Sequence, residues 1–323
     1  SLTVLNEKGD IVSAYAGDTI SDQSLFQAAS MSKSVTAVVV LLLANKRQID
    51  LDEDVRPHIT SLNWARIKGG DKAVSLRQLL SHTAGATVSG FPGYKRSKPL
   101  PSSVEIVMGS KGVNTPAVKL TKTKDKFRYS GGGYQILQVF IEDASGQTFD
   151  DALADLVFVP LGMSKSTFAQ PLDSSATAPL SIASAEHGFS PLQGVFLPMK
   201  DTWKNYPEQA AAGLWTTSDD FMKFALMLHD VSKGKSVLGV PNSVLRPMFN
   251  EVDKGYGLGL MLSNDDDGSL SYFQHTGGNA GYRCIFRVYP EEDIAIVALG
   301  NSPQSIKLIK ELMAKLVLPS ATQ

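Results

Sequence analysis

One cysteine in 323 residues excludes an internal disulfide, and Cys284, being alone, says nothing about redox compartment. There is no thiolate cluster for zinc, and the five histidines (His58, His82, His187, His229 and His275) include no His-x-x-x-His pair, so no metal is expected. Neither sign of charge is in surplus. The 31 basic and 32 acidic residues leave a net charge of −1, which argues against a nucleic-acid or anionic-membrane binder. The longest apolar run, Ala37 to Ala44, is far short of the ~20 residues that span a bilayer. A Gly-x-Ser-x-Gly elbow, a phosphate loop and a dinucleotide fingerprint are all missing, so no cofactor is expected. Asp265-Asp266-Asp267-Gly268 lacks the remaining spacing of a calcium loop and reads as a hairpin turn. The chain opens at Ser1 without Met or a leader, so a removed signal peptide or further residues upstream are expected.

The composition is 43% hydrophobic and 20% charged, which suits a folded globular chain rather than a disordered one. The length suits two domains, or one large domain with an inserted subdomain. Leu2–Leu5 and Ile11–Tyr15 flank a Gly-containing turn and read as a hairpin. Apolar residues at spacings of three and four predict a helix over Met31–Asn45, with Ser30 as its N-cap. Helical patches follow at Leu76–Leu80, Tyr134–Asp143, Phe149–Val157 and Ser218–His229, the last capped by Ser218. The stretch from Gly90 to Pro101 is too rich in Pro and Gly for regular structure. Strand signals return at Gly257–Leu262, Leu270–Gln274, Arg283–Tyr289 and Ile294–Leu299, and Ser305–Val317 closes the chain as an amphipathic helix. This order predicts an α/β protein of the α+β type: a mainly antiparallel sheet built from both termini, flanked by helices, with a helical subdomain inserted. The sheet lobe is expected over residues 1–48 and 190–323 and the helical lobe over 49–189, with the active site in the cleft between them.

Three stretches could carry chemistry. Ser30-Met31-Ser32-Lys33 places a hydroxyl and an amine one helical turn apart, and a desolvated lysine can serve as the base that a serine nucleophile needs. Taken alone the pair reads first as a helix cap followed by a surface lysine, and Ser232…Lys235 repeats the spacing. Tyr129-Ser130-Gly131-Gly132-Gly133-Tyr134 precedes an apolar helix and could set a phenol in a cleft as acid and base, or be a flexible turn. His275-Thr276-Gly277-Gly278 ends a strand, where a peptide N–H can meet an oxyanion and His275 adds a polar, cationic handle, or it is a bulge with a satisfied histidine. His82 closes a helix and reads as a structural histidine.

In this order, the three resemble the serine β-lactamase and penicillin-binding protein superfamily, in the branch of class C β-lactamases, D-Ala-D-Ala carboxypeptidases and β-lactamase-like esterases. Leu79-Leu80-Ser81-His82-Thr83-Ala84-Gly85, Pro160-Leu161-Gly162-Met163, Ala212-Gly213-Leu214-Trp215-Thr216-Thr217 and Tyr256-Gly257-Leu258-Gly259 fit the same branch, and the resemblance runs from about Phe26 to Asn301. It implies a β-lactamase/transpeptidase-like fold and a serine hydrolase that forms an acyl-enzyme on Ser30. Lys33 would be the base and Tyr129 the acid for the leaving group. The backbone N–H groups of Ser30 and Gly278 would form the oxyanion hole, and Gly131, His275, Thr276 and Gly277 would meet the substrate. His275 stands where the family's Lys-Thr-Gly carries lysine, and would bond near Tyr129 or meet a substrate carboxylate.

One departure bears on substrate. The family's Tyr-x-Asn has its Asn where this chain has Gly131, so no side chain is there to hold a substrate amide. No Glu-x-x-Leu-Asn string of the class A deacylation type is found either. The expectation is a carboxylesterase ahead of a D-alanyl-D-alanine carboxypeptidase or penicillin-binding protein, with a weak β-lactamase third. A sensor that is acylated by penicillin without turnover is the alternative of another class. The expected partners are a small ester, a D-amino-acid peptide or a β-lactam, and Gly131→Asn should favour β-lactam acylation over ester hydrolysis. The resemblance implies a periplasmic or secreted protein, with a cytoplasmic one still open.

Overall fold

Ile294–Gly300 is apolar at nearly every position, which leaves no face for solvent and demands cover on both sides. The computed structural model, which describes residues 1–122, 125–172, 181–185, 187–190 and 195–316, supplies that cover. Its strands are β1 (Leu2–Leu5), β2 (Ile11–Ala14), β3 (Ser24–Gln27), β4 (Ser181–Ile182), β5 (His187–Ser190), β6 (Val195–Pro198), β7 (Trp215–Thr216), β8 (Met261–Asn264), β9 (Leu270–Asn279), β10 (Tyr282–Tyr289) and β11 (Ile294–Gly300). The helices are α1 (Ser32–Arg47), α2 (Leu76–Leu80), α3 (Ser103–Met108), α4 (Gly131–Ser145), α5 (Phe149–Leu153), α6 (Val159–Leu161), α7 (Gln209–Ala212), α8 (Ser218–Ser232), α9 (Asn242–Leu245) and α10 (Ser305–Leu316). Val317, the expected end of the last helix, lies outside the described residues.

The main sheet runs β2-β1-β11-β10-β9-β8 with every pair antiparallel, so the N-terminal hairpin pairs with the last strand, Leu2 opposite Ala298. Successive side chains alternate between two cores. Val297 and Leu299 face the large core that α1 and α8 fill, while Ile296 and Ala298 face a smaller cluster closed by Ile309 and Met313 of α10. The mixed α/β fold with a mainly antiparallel sheet flanked by helices is the one expected.

Several boundaries differ, each for a local reason. The strand expected from Gly257 starts at Met261, because residues 253–260 turn twice and seat Tyr256 in the core: Tyr256 N donates to Asp253 O at 3.1 Å and Gly257 N to Leu260 O at 2.9 Å. β9 continues past Gln274 to Asn279, carrying the His-Thr-Gly-Gly stretch within the ladder rather than in a turn. α8 is capped by Thr217, whose side chain accepts from Asp220 N, and not by Ser218. β4 lies inside the segment expected to be mostly helical, paired in parallel with β3, and β5 begins there, paired with β6. Asp265–Gly268 is the β8–β9 hairpin turn, with Gly268 N donating to Asp265 O at 2.9 Å.

α1 was expected to show one apolar face. It is buried all round from Ser32 to Ala44. Its polar side chains are satisfied internally: Ser34 Oγ donates to Gly259 O at 2.7 Å, and Thr36 Oγ1 to Ser32 O at 3.0 Å. α4 starts at Gly131, three residues before the expected Tyr134, because Ser130 caps it: its Oγ accepts from Gly133 N at 3.0 Å. α4 is buried from Gly131 to Ile141 and packs on α1, which brings its N-terminus to the start of that helix.

Candidate active site

Ser30 lies in a 3₁₀ turn, Ala29–Met31, that leads into α1. Ala29 takes φ +48°, the left-handed region that a side chain disfavours, and such strain is typical of functional turns. The turn buries Ala29 and Met31 and leaves Ser30 half-buried. Ser30 is not a helix cap, contrary to expectation. Ser32 ties the turn instead: its Oγ donates to Ala29 O at 2.6 Å and accepts from Leu214 N at 3.1 Å. The Ser30 hydroxyl is thereby left for another partner, and Lys33 Nζ donates to Ser30 Oγ at 3.1 Å.

Lys33 is 2% exposed. Its Nζ also donates to Ala211 O at 2.7 Å, and it stands 5.0 Å from the centre of the Tyr129 ring and 5.5 Å from that of Tyr134. Among the described residues no carboxylate pairs with it. The amine therefore sits between the hydroxyl and the half-buried phenol, held by a carbonyl of α7. Sequence reasoning missed that carbonyl, because Ala211 carries no chemistry of its own.

β9 passes directly over the Ser30 turn. A Cβ at Gly277 would lie 2.3 Å from Ala28 O and 2.4 Å from Cys284 Sγ, so only glycine permits this approach. Gly278, the next residue, is exposed and lies opposite Arg283, which brings its backbone beside the turn that carries Ser30. Thr276 is also exposed. Asn279 closes the strand end, its Nδ2 donating to Gln27 Oε1 at 2.8 Å and Ala212 O at 3.0 Å.

His275 is 1% exposed, and its ring centre lies 6.4 Å from that of Tyr129. Its hydrogen bonds fix a proton order. Ser130 N donates to His82 Nδ1 at 3.1 Å, so the His82 proton sits on Nε2, 3.2 Å from Tyr256 Oη. Tyr256 then donates to His275 Nε2 at 3.1 Å, and His275 Nδ1 donates to Thr276 O at 2.7 Å. Every bond is satisfied with both rings neutral. Burial, aided by the nearby Lys33 charge, lowers His275 to about 3 and pushes His82 well below the usual imidazole value. The expectation that His275 is a cationic handle or meets a substrate carboxylate is corrected: both of its nitrogens are occupied and it carries no charge. The chain of three acts on Tyr129 from behind, since the His82 ring packs on the Tyr129 ring with centres 4.3 Å apart. Tyr256 was singled out only within a Tyr-Gly-Leu-Gly string; its bridging role needs three distant segments to meet.

Gly131 opens α4 beside this group. A Cβ there would lie 2.6 Å from Cε2 of Phe91, so the ring of Phe91 stands where a side chain at 131 would start. Phe91 sits in the Pro- and Gly-rich stretch that sequence analysis set aside.

One turn before Ala211, Glu208 is fully buried with neither carboxylate oxygen hydrogen-bonded. Burial raises it from 4.5 to about 8. The folded form thus holds a proton that the unfolded chain gives up above the ordinary carboxyl range. This contribution to stability is full below about pH 4.5 and is lost as pH rises through about 8. Glu208→Gln removes the titration, so its Tm relative to the parent should be higher at pH 9 than at pH 5 by calorimetry; a pH-independent difference would contradict this.

A turn-borne serine, a buried lysine on its hydroxyl, a tyrosine against that lysine and a glycine-bearing strand alongside define a serine hydrolase site on an antiparallel α/β scaffold. The family model Beta-lactamase matches residues 2–312, and the chain belongs to this family. Protein flp from Staphylococcus aureus (strain N315) is 23% identical over 301 residues, 90% of this chain, and the chain spans only 56% of that relative's length. Among solved structures, the penicillin-binding protein from Bacillus halodurans aligns with a TM-score of 0.72 at 18% identity, over 97% of this chain and 94% of that one. The D-amino acid amidase from Ochrobactrum anthropi SV3, complexed with L-phenylalanine amide, aligns with a TM-score of 0.70 at 21% identity, over 98% and 91%.

Proposed function

We propose that this chain hydrolyses small acyl esters through an acyl-enzyme on Ser30. The observation that carries the reading is the 3.1 Å contact between Lys33 Nζ and Ser30 Oγ, made by a lysine with no carboxylate partner among the described residues. Once it has given up its ammonium proton, Lys33 keeps one N–H on Ala211 O and turns its lone pair to the Ser30 hydroxyl. It takes that proton as Oγ attacks the ester carbonyl. The oxyanion meets the backbone N–H groups of Ser30 and Gly278, and losing one such donor typically costs about 10²–10³ in rate. Tyr129 passes a proton to the departing alkoxide as the carbonyl re-forms. Water then attacks the acyl-enzyme, giving up a proton through Tyr129 and Lys33, and Ser30 leaves with its own proton restored.

Gly131 supports esters over amides, since it offers no side chain to hold a substrate amide. The likeness to a penicillin-binding protein and a D-amino acid amidase supports a second reading, a D-amino-acid peptide or amide hydrolase. Steady-state kcat/KM on p-nitrophenyl acetate and butyrate, a D-Ala-D-Ala peptide and a chromogenic cephalosporin separates them. The esters should be turned over fastest. Fastest turnover of the peptide establishes the second reading. Fastest turnover of the cephalosporin overturns the argument from Gly131. Stoichiometric labelling by a fluorescent penicillin with no product from any substrate indicates an acylated sensor.

A further inference from the structure

We infer that Phe91 is a specificity-determining residue, the wall of the acyl pocket, held in the space of residue 131 by a strap, residues 87–94, pinned at both ends. The inference rests on the hydrolase reading above and names the acyl group that site prefers: an apolar one without an amide.

One end of the strap is fastened to the start of α4. Ser130 Oγ donates to Thr87 O at 3.0 Å, and Gly132 N donates to Val88 O at 2.9 Å. A Cβ at Gly132 would lie 2.2 Å from Thr87 O, so the glycine run serves this docking. Val88 takes φ +65°, a conformation that a β-branched residue adopts only when its surroundings impose it. The other end is fastened to the segment before α7. Tyr94 and Asn205 exchange backbone hydrogen bonds at 2.8 and 2.9 Å, and Lys204 Nζ donates to Pro92 O at 3.0 Å. Gly93 lies against the Tyr206 ring, where a Cβ would come within 2.7 Å of Cζ. Tyr206 in turn accepts from Ala280 N at 3.0 Å, just past the end of β9.

Between these anchors the Phe91 ring is neither core nor free surface. It is half-buried, and its Cε2, Cδ2 and Cζ lie 2.6, 3.3 and 3.4 Å from the Cβ position of Gly131. Gly131 is two residues from Tyr129, whose ring flanks Lys33. The ring therefore presents hydrocarbon where a side chain at 131 would present polar atoms, and an aromatic face neither donates to nor accepts from an amide strongly. It rewards an apolar acyl chain by contact and offers an amide nothing in exchange for lost water.

The test is a double-mutant cycle on Phe91→Ala and Gly131→Asn. In Phe91→Ala the ratio of kcat/KM for p-nitrophenyl butyrate over acetate should fall about tenfold, the scale of a small change in an apolar pocket. Phe91→Leu, which keeps apolar bulk, should recover most of the ratio and guards against a folding defect in the alanine variant. Gly131→Asn must displace the ring, so its gain in acylation by a chromogenic cephalosporin bearing an amide side chain should be about tenfold larger in the Phe91→Ala background. A butyrate/acetate ratio within twofold of the parent in an active Phe91→Ala enzyme overturns the inference, as do equal gains in the two backgrounds. Failure of the parent itself to turn over either ester, with Ser30 unlabelled by a fluorophosphonate, overturns the hydrolase reading instead.

Discussion

Ser30→Ala is expected to lower ester hydrolysis by about 10⁴-fold or more, to near the uncatalysed background, because among the described residues no other side-chain hydroxyl is hydrogen-bonded to the Lys33 amine. The fold should be untouched. Ser30 is half-buried, the hydrogen bond its Oγ accepts comes from Lys33, and that lysine keeps its bond to Ala211 O when the hydroxyl is gone. A Tm within a few degrees of the parent, together with complete loss of fluorophosphonate labelling, is the expected pair of results. Labelling that persists in Ser30→Ala would move the nucleophile elsewhere.

Lys33→Met separates chemistry from stability more sharply. Lys33 is among the largest fully buried side chains, and it reaches its site through a wholly buried stretch of α1. Methionine fills most of its volume and removes the amine, so acylation should slow by about 10²–10⁴-fold, the usual contribution of a positioned base. Replacing a buried amine that pairs with no carboxylate among the described residues by a well-packed apolar chain is often neutral or stabilising. Against this stands the lost donor to Ala211 O at 2.7 Å. The expected outcome is a Tm equal to or above the parent with activity nearly gone, the signature of a residue kept for function at the expense of stability. A variant retaining more than a tenth of the activity would assign the base elsewhere. One that loses activity and fold together would make the lysine structural.

Part of this arrangement is legible in the sequence, and the reasons are local. Ser30 and Lys33 are one turn apart, so helix geometry alone brings them to one face. The sheet was legible from β-branched, alternating strands at both ends of the chain, whose pairing follows once the sheet needs two covered faces. What stayed hidden depends on segments far apart in sequence. His275 looks chargeable in the sequence, and only its burial beneath Tyr256, itself bonded to His82, shows that it is neutral. The carbonyl of Ala211 that holds Lys33 belongs to a residue with no side-chain chemistry. Phe91 was set aside with the Pro and Gly around it, yet the same residues let the strap turn between α4 and Asn205. Composition there reported the absence of regular structure correctly and said nothing of where the ring would land. Ser30 misled in the opposite sense: a Ser before an apolar helix reads as a cap, and the strained turn at Ala29 puts the helix start one residue later, at Ser32.

The most direct test of the account is to mix the purified chain with p-nitrophenyl butyrate, quench in acid within milliseconds to seconds, and map the intact protein and its peptides by mass spectrometry. The account predicts one added butyryl group, on Ser30 alone, that decays at the rate of turnover and is missing in Ser30→Ala. Turnover with no transient adduct, or an adduct confined to another residue, would contradict it.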